Sequence, residues 1–134
     1  MAEHAATSLA SGPAGRRAFF DGFVDLMYRR LDVRTAFDTY VAPDYLQHNP
    51  GLPDGPDAAV AGLEPKFQRD GARFEVQRIL VDGDLAVVHL KASFPGTAPT
   101  AVADFYRIAD GLLVEHWDVL QPVPAESANA HPMF

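Results

Sequence analysis

The chain has 134 residues, 48% of them hydrophobic and 22% charged, which fits one globular domain and not a disordered segment. Eleven Lys and Arg stand against 18 Asp and Glu, giving a net charge of −7, and Arg16-Arg17 and Arg29-Arg30 are the only basic doublets, so no nucleic-acid or anionic-membrane surface is expected. The absence of cysteine excludes a disulfide framework, a thiolate zinc site and a cysteine nucleophile.

No apolar run approaches the roughly 18 residues of a membrane span. Met1-Ala2-Glu3-His4 lacks the cationic and apolar stretches of a secretory leader, and a cytoplasmic location is expected. Residues 1–12 are small and polar and are expected to form a flexible tail ahead of a single domain over 13–122. Pro13 suits the first turn of a helix. From Ala14 to Leu31, the apolar residues Phe19, Phe20, Phe23, Val24, Met27, Tyr28 and Leu31 recur at helical spacing. A second helix is expected over about Val33 to Val41, capped by Asp32 and closed by Pro43. A brief extended piece, Asp44 to Asn49, leads into the turn-rich Pro50 to Gly55. A third helix starts at Pro56 and runs to about Arg69, with Pro65 arguing against a continuous one.

After Gly71 the period changes to two. Strands are expected over Phe74–Val81, Leu85–Phe94, Thr100–Ile108 and Leu112–Gln121, with turns at Asp82-Gly83-Asp84, Pro95-Gly96 and Ala109-Asp110-Gly111. Residues 123–134 form an irregular tail. Helices followed by a strand meander give an α+β fold, an antiparallel sheet with helices on one face.

The last hairpin carries a polar constellation. Val102, Asp104 and Tyr106 share one face of their strand; Val114, His116, Asp118 and Leu120 share one face of the next. A two-residue Asp-Gly turn would set Asp104 opposite Trp117. A three-residue loop, Ala109-Asp110-Gly111, would set Asp104 opposite His116 and Val102 opposite Asp118. The second register is the expected one, because it gathers two carboxylates and an imidazole among apolar residues. The alternative is a solvated sheet face with no chemistry.

A second polar cluster is Tyr45-Leu46-Gln47-His48-Asn49-Pro50. His4 and His131 lie in the tails, and His89 sits mid-strand. No His-x-x-x-His or His-x-His spacing occurs, and the carboxylates form no ligand comb, so neither a metal nor an organic cofactor is expected. There is no glycine-rich phosphate loop and no Gly-x-Ser-x-Gly elbow.

Taken together, Tyr45-Leu46-Gln47-His48-Asn49-Pro50, Asp54-Gly55, Asp104-Phe105-Tyr106-Arg107 and Glu115-His116-Trp117-Asp118-Val119-Leu120-Gln121-Pro122 resemble the SnoaL-like polyketide cyclase family. Within it they resemble the small bacterial proteins described as predicted aldol-condensation enzymes, over about residues 15–134. The resemblance implies the nuclear-transport-factor-2-like fold, a cone of curved antiparallel sheet closed by helices over a deep pocket. It implies that Asp118 is the pocket acid/base, as in SnoaL-type cyclases, and that Asp104 and Asp118 match the aspartate pair of limonene epoxide hydrolases. Asp104 also falls where ketosteroid isomerases carry their oxyanion-hole acid, which is held neutral there by an apolar site. Three positions depart. Val24 falls at the isomerase tyrosine, Asn49 near its general base, and Val102 at the arginine of the epoxide hydrolases, so neither of those chemistries is implied.

The expected function is cofactor-free acid/base chemistry on a small hydrophobic carbonyl compound, an intramolecular aldol cyclisation or an isomerisation. Asp118 and Asp104 are the expected catalytic pair, with His48 and His116 orienting the substrate. Tyr106, Asn49, Val102 and Leu120 are the expected substrate contacts. The alternative is a non-catalytic binding or dimerisation module of the same fold. The opposite sheet face, with Phe105, Trp117 and Val119, is expected to form a homodimer, with the 122–134 tail packed nearby.

Overall fold

The computed structural model describes residues 12–134. Residues 1–11 of the expected N-terminal tail, His4 among them, therefore lie outside the described residues. Helix α1 (Pro13–Val24) begins with Pro13 in its first turn and continues into a single π-helical turn, Asp25–Arg29. The amide of Arg30 bonds back to Asp25 O at 2.9 Å, and that of Asp32 to Leu26 O at 2.9 Å. The chain then turns through Leu31, whose φ of 56° ends the helix. Helix α2 (Val33–Tyr40) is capped by Asp32, whose Oδ1 accepts from Thr35 N at 3.2 Å.

Strand β1 (Val41–Gln47) follows without a loop, earlier than the extended piece expected from Asp44. Pro43 lies inside it instead of merely closing the helix. The strand is an edge, so a residue without an amide hydrogen is tolerated there. Helix α3 (Pro56–Phe67) runs unbroken through Pro65. Ala61, whose carbonyl loses its partner to Pro65, is exposed, as is Pro65 itself, so water can take that bond.

Strands β2 (Arg73–Asp82), β3 (Leu85–Ser93), β4 (Thr100–Ala109) and β5 (Leu112–Pro122) form an antiparallel meander. The sheet is curved and unclosed, with order β1-β5-β4-β3-β2, and β1 adds to β5 in parallel. That parallel edge strand is absent from the sequence expectation of a purely antiparallel sheet. Residues 123–134 hold no helix or strand.

The helices cover one sheet face. Phe20, Phe23, Val24, Met27, Phe37 and Val60 pack against Val88, Leu90, Tyr106 and Leu113 in one buried cluster. Phe23 sits at its centre, with ring contacts to Phe20, Tyr28, Phe37, Tyr40 and Tyr106. A side chain at Gly22 would collide with the Tyr40 hydroxyl, which is why α1 and α2 can cross so closely there.

Candidate active site

The β4–β5 hairpin closes with a two-residue turn, Asp110-Gly111, both at positive φ (52° and 74°), pairing Ala109 with Leu112. This corrects the three-residue loop expected from the sequence. Left alone, that turn would set Asp104 opposite Trp117. A bulge at Val114 intervenes: Ile108 pairs with Leu113, but Arg107 pairs with Glu115. Beyond it, Tyr106 lies opposite His116, Asp104 opposite Asp118 and Val102 opposite Leu120. The cross-strand partners therefore differ from those expected by two residues. Since side chains alternate with period two, the face is unchanged, and Asp104, His116 and Asp118 all look toward the helices.

β1 delivers the other half. Its alternation puts Tyr45, Gln47 and Asn49 on the same side as His116, and all three line the cavity. Gln47 Oε1 accepts from the Asn49 amide at 2.9 Å, which identifies that atom as the carbonyl oxygen. The same oxygen lies 2.7 Å from His116 Nδ1, so Nδ1 carries a hydrogen and donates. His116 Nε2 then faces Asp104 Oδ1 at 2.9 Å. One proton lies between them: it makes either an imidazolium–carboxylate pair or a neutral imidazole accepting from a carboxylic acid.

Asn49 is oriented by the same logic. Its Oδ1 accepts from Gly51 N at 2.7 Å, leaving Nδ2 to donate to Asp118 Oδ2 at 2.6 Å. Asp118 Oδ2 stands 4.0 Å from His116 Nε2. On the helix side, Tyr28 from the π-helical turn bonds Asp104 Oδ2 at 2.6 Å and Tyr106 Oη at 2.7 Å. Burial first, and the Asp104 charge second, push the hydroxyls of Tyr28, Tyr106 and Tyr45 well above the usual tyrosine range. All three therefore stay protonated, and Tyr28 donates to Asp104 Oδ2.

These groups sit in a cavity of about 200 Å³. Its walls include Met27, Phe37, Phe67, Phe74, Leu90 and Phe94, with Val102, Tyr106, Asn49 and Leu120 also lining it. Asp104, His116 and Asp118 offer ligand atoms within 4.8 Å of one another and could hold a divalent cation, at the cost of the His116–Asp104 hydrogen bond.

His48 does not join them. It is exposed on the other side of the sheet, where its ring stacks on Trp117 (4.8 Å, 10°) and its Nε2 lies 2.6 Å from Glu115 Oε2. Glu115 Oε1 also accepts from Arg107 Nε at 2.8 Å. The bonds from His48 and then Arg107 outweigh partial desolvation and hold the Glu115 carboxyl below the usual range. The expectation that His48 orients a substrate in the pocket is corrected: its neighbours Gln47 and Asn49 occupy that place, because β1 alternates.

Two site residues carry no role in the sequence reading. Tyr28 was legible only as core, although a buried tyrosine hydroxyl on an apolar helix face needs a partner. Gln47 shares period-two spacing with Tyr45 and Asn49, a signal that could have found it. His89 is on the outer face, with Nδ1 2.9 Å from Arg78 Nη1 and its ring against Phe134.

A family model described as a SnoaL-like domain matches residues 17–116. No curated protein is a significant match. Among solved structures, the chain is similar to an NTF2-like protein from Mesorhizobium loti at 20% identity and TM-score 0.68, covering 78% of this chain and 89% of that one. It is also similar to a candidate ketosteroid isomerase from Kribbella flavida, at 19% identity and TM-score 0.67, covering 84% and 82%. A candidate polyketide cyclase from Acidithiobacillus ferrooxidans matches at 21% identity and TM-score 0.59, covering 82% and 89%. At these identities the likeness is one of fold. Among the described residues, no helix is long and apolar enough to cross a membrane.

Proposed function

Because the chain belongs to the SnoaL-like domain family, we propose that it is a cytoplasmic acid/base enzyme, working without metal or organic cofactor on a small hydrophobic carbonyl compound. The reaction is intramolecular aldol cyclisation or isomerisation. The observation that carries this reading is the opposition of Asp118 and Asp104 across β4–β5, within a cavity whose walls are mostly apolar.

In this reading Asp118 is the base. It removes a proton from the carbon beside the carbonyl, and the electron pair moves onto the carbonyl oxygen. Tyr106 supplies the stabilising donor. Tyr28 donates to Asp104 Oδ2, which leaves the Tyr28 oxygen to accept from Tyr106, and in this reading the Tyr106 hydrogen turns from Tyr28 to meet the oxyanion. The carbanion then attacks a second carbonyl of the same molecule and forms the new carbon–carbon bond. The proton held by Asp118 passes to the new alkoxide, so no atom is gained or lost. In an isomerisation the same proton returns to a different carbon. The outer sheet face belongs to the same reading as a homodimer interface.

Deuterium exchange tests the first step without knowledge of the natural substrate. Small aryl ketones in deuterated water should exchange hydrogen beside the carbonyl faster with the protein present. Asp118→Asn keeps shape and hydrogen bonding but removes the base, and should cost roughly 10²–10⁴-fold in exchange rate. Ketone binding with no accelerated exchange would leave a binding module instead.

A further inference from the structure

The cavity is charged unevenly. Its inner end holds two carboxylates, Asp104 and Asp118, and one imidazole. Among the described residues, Lys66 is the only Lys or Arg that lines it. Lys66 is exposed as well as lining, and so is Leu120, which puts both at the mouth. No carboxylate lies within ion-pair distance of Lys66 among the described residues, although the chain carries an excess of acidic groups. Between mouth and base the walls are apolar, with Phe67 and Phe74 stacked at 4.1 Å.

From this gradient we infer that Lys66 is an anion subsite, and that the cavity takes carbonyl compounds bearing a carboxylate at the end remote from the reacting carbonyl. The inference rests on the proposed reading of the cavity and adds the substrate class to it. The physical argument has two parts. Asp104 and Asp118 repel a carboxylate from the inner end, while Lys66 attracts it at the rim, where apolar walls reduce screening. A keto acid is therefore biased toward one orientation, with its carbonyl toward Asp118. A neutral ketone lacks that orienting pull. Lys66 also lies in the last turn of α3, where a cation favours the helix dipole. That role alone would not discriminate between ligands.

Calorimetric titration with β-benzoylpropionate and its methyl ester separates the possibilities. The wild type should bind the acid about threefold more tightly than the ester, the scale of a partly screened ion pair, and added salt should shrink the difference. Lys66→Met should abolish the preference and leave ester affinity unchanged, while Lys66→Arg should retain it. Equal binding of acid and ester by the wild type, or an undiminished preference in Lys66→Met, would overturn the subsite and leave the proposed function standing. If neither compound binds the wild type, the subsite and the ketone-binding cavity both fall.

Discussion

Gln47 reads out a backbone amide and passes the result to His116. Its Oε1 takes the Asn49 N–H at 2.9 Å and the His116 Nδ1–H at 2.7 Å, so the end of β1 decides which ring nitrogen faces Asp104. Gln47→Leu removes the acceptor without adding charge. Nitrogen NMR should then show His116 losing its preference for hydrogen on Nδ1, and ketone exchange should slow. An unchanged tautomer in that variant would mean that Asp104, not Gln47, orients the ring.

The three buried tyrosines make a prediction at high pH. Their folded-state values lie above those of an unfolded chain, so the unfolded chain releases their protons first. Stability is full below about pH 10 and falls as pH rises beyond it, by up to ~1.4 kcal/mol per pH unit for each tyrosine. Urea titrations across this range should give a slope that becomes shallower in Tyr28→Phe. At neutral pH that variant should be less stable by about 1–3 kcal/mol, since it leaves Asp104 Oδ2 and Tyr106 Oη short of a partner.

Glu115 acts at the acidic end. Its folded-state value lies below the ordinary one, so its contribution is present above about pH 4.5 and disappears as pH falls through the folded value. Glu115→Gln should melt earlier than wild type at pH 7, and the two melting curves should converge on acidification. A constant gap across pH would show that packing against Arg107 and His48, not ionisation, is what the glutamate supplies.

The outer face of the sheet predicts assembly. Phe105 and Val119 are 38% and 65% exposed there, Trp117 lies between them, and the Phe134 ring rests on His89 and Lys91 of the same face. Surfaces of this kind favour self-association. Sedimentation at micromolar concentration should give twice the chain mass for wild type and the single mass for Val119→Asp. A monomeric wild type removes the interface from the reading.

The helices, the four-strand meander and the polar character of the final hairpin were legible because period and turn chemistry report local geometry. The parallel strand β1 was not. Val41-Ala42-Pro43-Asp44 shows no clean alternation, and its pairing with β5 joins segments about 70 residues apart. The register departs from the sequence expectation for a specific reason: Asp110-Gly111 makes a two-residue turn, and Val114 then adds a residue that no turn rule can foresee. The face survived because the expected and actual pairings differ by an even number. His48 has the residue type that suggests chemistry but the wrong phase for the cavity. Its neighbours at positions 47 and 49 had the right phase and plainer chemistry.

Val114 also makes β5 unequal in its response to losing a residue. Removing Val114 would leave every cross-strand pair intact, with Leu113 still opposite Ile108 and Glu115 still opposite Arg107, and would cost only the local bend. Removing Trp117 would slide Asp118 opposite Phe105, on the outer face, and carry Val119 inward to meet Asp104. Shortening β5 ahead of its polar run is therefore a change of curvature, whereas shortening it within that run takes the Asp118 carboxylate out of the cavity.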